Sequence, residues 1–149
     1  MDSYYHALQS QRSTIASFYQ KPKTLPDGKK TPSITYNGEA KTDGAAMQKL
    51  FQDGMASAHF DVQGLDAQCL NPNYIPDGTA GGHAMSGKNL TVLVTVNGYV
   101  KFGDAKTAST RGFIESFVLI PNQDNMGPRT RAKQIKDYII QSQTFRVVV

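Results

Sequence analysis

Leu90-Thr91-Val92-Leu93-Val94-Thr95-Val96-Asn97-Gly98-Tyr99-Val100-Lys101-Phe102 alternates along its whole length. Leu90, Val92, Val94, Val96, Val100 and Phe102 fall on one face, and Thr91, Leu93, Thr95, Asn97 and Tyr99 on the other, the period of two expected of a β-strand. The next β-rich stretch, Arg111 to Pro121, is apolar on both sides: Phe113, Phe117 and Leu119 on one, Ile114, Val118 and Ile120 on the other. Tyr138 to Val147 is a further strand. His59 to Leu70 precedes them, with Phe60 and Val62 alternating until Gly64 signals a bulge or bend. Long strands in series after helical segments predict an α+β fold, an antiparallel sheet with helices on one face. One helical layer covers one face only. The second apolar face of Arg111 to Pro121 therefore needs another cover, and a partner protein is the simplest.

Outward from these strands, the N-terminal third reads as helix, hairpin, helix. Tyr4, Leu8, Ile15 and Phe18 recur on one face of a 3.6-residue period, with Asp2 or Ser3 as cap and Pro22 as the limit. Lys23 to Pro32 reads as a loop turning at Pro26-Asp27-Gly28. Ser33 to Asn37 is β-branched and aromatic, and Asn37-Gly38 signals a tight hairpin. A second helix is predicted over Asp43 to Asp53, with Ala46, Met47, Leu50 and Phe51 as its apolar stripe and Gly54 as a left-handed cap. Two long loops, about 71–89 and 122–137, separate strands.

The 149 residues suit a single domain spanning 1–149. Apolar residues are 39%, and the 13 glycines bring the share to about 48%, which excludes disordered, collagenous and coiled-coil classes. The apolar runs are far shorter than a membrane span, and Asp2-Ser3-Tyr4-Tyr5-His6 does not resemble a secretory leader. A single cysteine, Cys69, forms no internal disulfide and fits a reducing compartment, so a soluble intracellular domain is expected. The net charge is +4, concentrated in Lys21, Lys23, Lys29 and Lys30 and in Arg129, Arg131, Lys133 and Lys136. Such loop cations add at most a weak, salt-dependent attraction to RNA phosphates.

Few motifs survive inspection. Gly82 to Lys88 fits G-x-x-x-x-G-K, but Asn89 stands where a hydroxyl should hold magnesium, and a strand follows where a helix should. His6, His59 and His83 have no metal-ligand spacing, so neither metal nor cofactor is expected. Cys69 reads as a small buried hydrophobe. Asp66 stands out, between Leu65 and Ala67 in a strand that looks built for burial, where a carboxylate needs a partner. It is either a general base in a cavity, with Glu115 and Tyr99 as polar company, or one half of an ion pair with an arginine.

The run Tyr36-Asn37-Gly38-Glu39-Ala40, Gly44, Met47, Leu50-Phe51, Phe60-Asp61-Val62 and Leu65-Asp66-Ala67-Gln68 resembles the nuclear transport factor 2-like family. Thr91 to Phe102, Arg111 to Leu119 and the ending Thr144-Phe145-Arg146 continue the match. Within that family the chain is most similar to the small subunit of the nuclear mRNA-export receptor heterodimer, in its fungal form with a long loop. The resemblance implies a strongly curved sheet wrapped around helices and sheet-to-sheet dimerisation. It implies a non-enzymatic subunit that stabilises the large receptor and supports mRNA export, working in the nucleus and at the nuclear pore and shuttling to the cytoplasm. Nucleoporins would be reached through the heterodimer. Asp66 and Arg146 would make reciprocal ion pairs with that partner, amid Thr144, Ile114, Val118, Ile120, Leu93 and Tyr99. Glu115 departs from the family, whose members often have Gln there. The competing expectations are a cavity enzyme of the same fold, isomerase- or dehydratase-like with Asp66 as base, and a self-pairing transport adaptor.

Overall fold

The computed structural model describes residues 1–75, 89–104, 106, 108–123 and 136–148. The phosphate-loop-like stretch Gly82 to Lys88, together with His83, Arg129, Arg131 and Lys133, lies outside the described residues, as does most of both long loops.

A helix α1, Asp2–Ser10, is followed by a 3-10 helix, Arg12–Phe18. The strands β1, Lys23–Thr24, and β2, Lys30–Thr31, form a two-stranded ribbon. Then come β3, Ser33–Tyr36, β4, Glu39–Lys41, and α2, Gly44–Asp53. Four long strands complete the chain: β5, Ala58–Asn71, β6, Thr91–Phe102, β7, Thr110–Pro121, and β8, Tyr138–Val148. Six of the eight described strands form one sheet in the order β4-β3-β8-β7-β6-β5. It is mixed, since β3 runs parallel to β8 while every other neighbour is antiparallel. Tyr4, Leu8, Ile15, Met47 and Phe51 from the helices meet Val94, Val96, Val100, Phe113, Phe117 and Phe145 from the inner face of the sheet.

Local chemistry accounts for most of these elements. Asn37 (φ 49°) and Gly38 (φ 89°) both adopt the left-handed region that a two-residue hairpin turn needs. Asp43 caps α2 by accepting from the Ala46 N–H at 2.8 Å. The expected bulge in β5 falls between Val62 and Gly64, and a second register shift lies between Cys69 and Asn71. A third register shift places Gln141 of β8 opposite no residue of β7.

Four expectations need correction. Met1, not Asp2 or Ser3, stands at the α1 N-cap position. The first helix does not run unbroken to Pro22. Thr14 and Ser17 donate their hydroxyls to the carbonyls of Gln11 and Thr14, a local competition that tightens the chain into 3-10 geometry. Lys23 to Pro32 carries the short β1–β2 ribbon around its turn. Gly54 is right-handed (φ −103°) rather than a left-handed cap.

The end of α2 is held instead by Arg12. Its guanidinium donates to the carbonyls of Phe51 (2.6 Å), Met55 (2.7 Å) and Ala56 (2.7 Å), and its Nε donates to Leu8 at the end of α1 (3.0 Å). The same group lies 5.8 Å from the Phe51 ring centroid. One cation thus satisfies carbonyls at the C-terminal ends of both helices, where the helix dipoles favour it. Arg12→Ala leaves those acceptors short of a donor and is expected to cost about 2–4 kcal/mol in urea unfolding. Arg12→Lys should recover little of it, because an ammonium cannot span the same fork.

Candidate functional site

Register defines the outer face of the sheet, the one turned away from the helices. Asp66 of β5 stands opposite Thr95 of β6, Thr95 opposite Ser116 of β7, Ser116 opposite Thr144 of β8, and Thr144 opposite Thr35 of β3. Asn97, Ile114 and Arg146 make the neighbouring row on one side, and Gln68, Leu93, Val118 and Ser142 the row on the other. A further row holds Tyr99, Gly112 and Val148. Seven of the eight residues expected at a partner surface therefore share one uncovered face: Asp66, Arg146, Thr144, Ile114, Val118, Leu93 and Tyr99. Tyr99 is 52% exposed and Ile114 46%.

Ile120 does not belong with them. It is 1% exposed and lines a cavity of about 490 Å³ with Gln20, Pro22 and Tyr74, so the chain itself already covers it. Asp66 is exposed, contrary to a strand built for burial, because it lies on the outer face, away from the helices. Cys69, on the other face opposite Val92, is also exposed and is not a buried hydrophobe, because α1 reaches β5 near Phe60 and no described helix covers its second half. Asp66 accepts from Gln68 Nε2 at 3.0 Å, and among the described residues neither Asp66 nor Arg146 has an ion-pair partner. Three inter-strand steps separate the two, on the order of 15 Å, so they cannot pair within the chain. Each is free to meet an opposite charge brought from outside.

Reading the sequence alone missed Val148, 51% exposed beside Tyr99 and Gly112. Its position two residues past Arg146 on an alternating strand was the available signal. Lys21, Lys23, Lys29 and Lys30 are all exposed around the β1–β2 ribbon, and Lys29 is paired with Asp27 at 3.1 Å. Among the described residues no group of three His, Cys, Asp or Glu side chains could hold a metal ion, and no helix is long and apolar enough to cross a membrane.

The inner face carries the other candidate chemistry. Glu115 is 1% exposed. Its Oε2 accepts from Tyr5 Oη at 2.6 Å, and its Oε1 accepts from Gln143 Nε2. Gln143 also donates to Tyr4 Oη (2.8 Å) and accepts from Tyr19 Oη, while Tyr4 and Tyr19 hydroxyls meet at 2.8 Å. Every polar atom of this cluster is engaged, as burial demands. Burial pushes the Glu115 carboxyl up to about 7, against the hydrogen bonds from Tyr5 and Gln143, which favour the charged form. Burial, followed by the nearby Glu115 charge, raises the Tyr5 phenol, so it remains a donor. A carboxyl near 7 is what a general base needs, but substrate must also reach it. Here Tyr4 and Tyr5 occupy the space above it, the cavity beside Ile120 does not include it, and Asp66 lies on the opposite face.

The family model described as nuclear transport factor 2 (NTF2) domain matches residues 1–147. Among solved structures, the chain is similar to one in "Sac3N peptide bound to Mex67:Mtr2", with TM-score 0.76 and 23% identity over 99% of this chain and 94% of that one. A chain of the Chaetomium thermophilum Mex67 NTF2-like domain complexed with Mtr2 aligns with TM-score 0.74 and 23% identity, over 99% and 93% of the two chains. "Structure of Mtr2" gives TM-score 0.72 and 21% identity, over 99% and 94%. At these identities the likeness speaks for the fold. No curated protein matches the chain.

The buried carboxyl makes stability depend on pH. Below about 4.5 Glu115 is protonated both folded and unfolded, and contributes no slope. Between about 4.5 and 7 the folded state keeps a proton that the unfolded chain releases, so stability falls as pH rises, then levels off. Denaturant titrations at pH 5 and pH 8 should show wild type losing on the order of 2–3 kcal/mol relative to Glu115→Gln, which lacks this titration.

Proposed function

Since the chain belongs to the nuclear transport factor 2 domain family, we propose that it is the non-enzymatic small subunit of a heterodimer whose large subunit is an mRNA-export receptor. It stabilises that receptor and supports passage of mRNA through nuclear pores. The observation carrying this reading is the outer face of the sheet. It is broad, uncovered by helices, apolar at Ile114, Val118, Leu93 and Tyr99, and provided with one carboxylate and one guanidinium too far apart to neutralise each other. A face of this kind is matched by another sheet with complementary charges. The similar structures support the choice of partner, since they hold Mtr2 together with Mex67, in one case with its NTF2-like domain.

Nucleoporin contact comes through the heterodimer. A weak, salt-dependent RNA contact falls to Lys21, Lys23, Lys29 and Lys30, with Arg129, Arg131 and Lys133 from the second long loop. The protein then works in the nucleus and at the pore. On the enzymatic alternative, both oxygens of the buried Glu115 are already taken up by Tyr5 and Gln143.

The test is co-expression with the NTF2-like domain of the large export receptor, which should yield a one-to-one complex. Docking strips water from Asp66 and Arg146, and losing one member of a buried pair costs about 3–5 kcal/mol, or hundreds- to thousands-fold in affinity. Asp66→Ala and Arg146→Ala should each weaken capture to that degree, and Asp66→Arg should weaken it further by opposing like charges. Circular dichroism should be unchanged in all three, because both side chains are exposed and outside the core. Full capture by Asp66→Arg would remove the outer face from the interface.

A further inference from the structure

The row Tyr99, Gly112 and Val148 encloses a depression of about 430 Å³ on the outer face. Tyr99, Ile114 and Val148, all about half exposed, line it with Gln63 and Asn97, and Phe113, whose side chain turns into the core, lies beneath it. Gly112, on the outer face, supplies the space by having no side chain, and Gly98 of the neighbouring strand also lines it.

The two glycines have different reasons to be glycine. At Gly98 a Cβ would lie 2.1 Å from the Asp61 carbonyl oxygen of β5, so the fold itself forbids a side chain. At Gly112 the nearest atoms to an added Cβ are those of Val148, at 3.8 Å, an ordinary contact. Its φ lies outside the left-handed region. Nothing among the described residues requires a glycine there, although glycine within a strand weakens the strand. A strand glycine that its own fold does not need marks close approach by something else.

Resting on the heterodimer reading above, we propose that the Gly112 depression is a socket for one large apolar side chain, aromatic or branched, presented by the partner's sheet. The socket lies next to the row of Asn97, Ile114 and Arg146, so it is continuous with the face that carries the charged contacts. Tyr99, Ile114 and Val148 make most of its wall apolar, Gln63 and Asn97 are its polar members, and no charged side chain lines it, which favours a hydrocarbon or aromatic group over a charged one. An anchor filling a desolvated pocket near charged contacts is the usual form of an interface hot spot. The socket sets how near the two sheets approach, and the charges set their register.

Gly112→Leu fills the socket from its base, and Val148→Trp fills it from the rim at the end of β8. Titration calorimetry with the receptor's NTF2-like domain, using the full chain, should show Gly112→Leu weakened by about tenfold or more and Gly112→Ala by less. The thermal midpoint of the isolated Gly112→Leu chain should be unchanged or higher. Val148→Trp should also bind more weakly, which keeps the test valid if Gly112→Leu fails to fold. Wild-type affinity in both filled variants overturns the socket while leaving the heterodimer reading in place, provided that Asp66→Arg still abolishes binding. A wild-type chain that does not bind the domain, or that loses only self-association on filling, overturns the proposed occupant.

Discussion

The tie between the helices and the sheet is polar at its centre. Tyr5 on α1 and Gln143 on β8 both hold the Glu115 carboxyl of β7, and Gln143 closes a ring of hydrogen bonds with Tyr4 and Tyr19. Apolar packing alone would let a helix slide or rotate on an inner face made of Phe113, Phe117 and Phe145. The hydroxyls and the carboxyl allow few arrangements in which all are satisfied, so they fix where α1 sits. The cost is a carboxyl held away from water, offset by its donors and by the aromatic contacts of Tyr4 with Phe117 and of Tyr5 with Phe60 and Phe113.

With every described helix committed to the inner face, the outer face of the described residues is left to whatever binds it. The division follows strand by strand. On β7, Phe113, Glu115 and Phe117 turn inward while Ile114, Ser116 and Val118 turn out. On β8, Gln143 and Phe145 turn inward while Thr144 and Arg146 turn out. The family's shared fold and this chain's surface chemistry are thus separated by the pleat itself.

Elements set by neighbouring residues were legible in the sequence. Asn37-Gly38 specifies its turn, the alternation of Leu90 to Phe102 specifies both a strand and its faces, and Gly64 marks a bulge. Features set at a distance were not. An arginine within a helical pattern looks like a solvated cation, and only the folded chain brings the last carbonyls of α2 within reach of Arg12. The exposure of Asp66 depends on which face of β5 the helices cover, and that of Cys69 on how far α1 extends over it, and no local pattern encodes either. Ile120 shares its strand parity with Ile114, yet the segment from Gln20 to Pro22 covers it. On the outer face, the resemblance led to Asp66 and Arg146, whereas Gly112 needed coordinates, since a glycine that the fold requires and one that it does not are written alike.

The place of β8 in the sheet bears on how the chain is made. β8 is the last strand in sequence, yet it lies inside the sheet between β3 and β7. Tyr5 waits for a residue 110 positions later, and Tyr4 for one 139 positions later. Until β8 has been made, the N-terminal helices and the β3–β4 hairpin lack the strand that ties them to the rest of the sheet. Such long-range closure is slow, because the entropy of ordering the chain must be met before any contact repays it. Until then the β3–β4 hairpin and the β5–β6–β7 meander remain unjoined, and the strand edges that β8 will occupy stand open to wrong pairing.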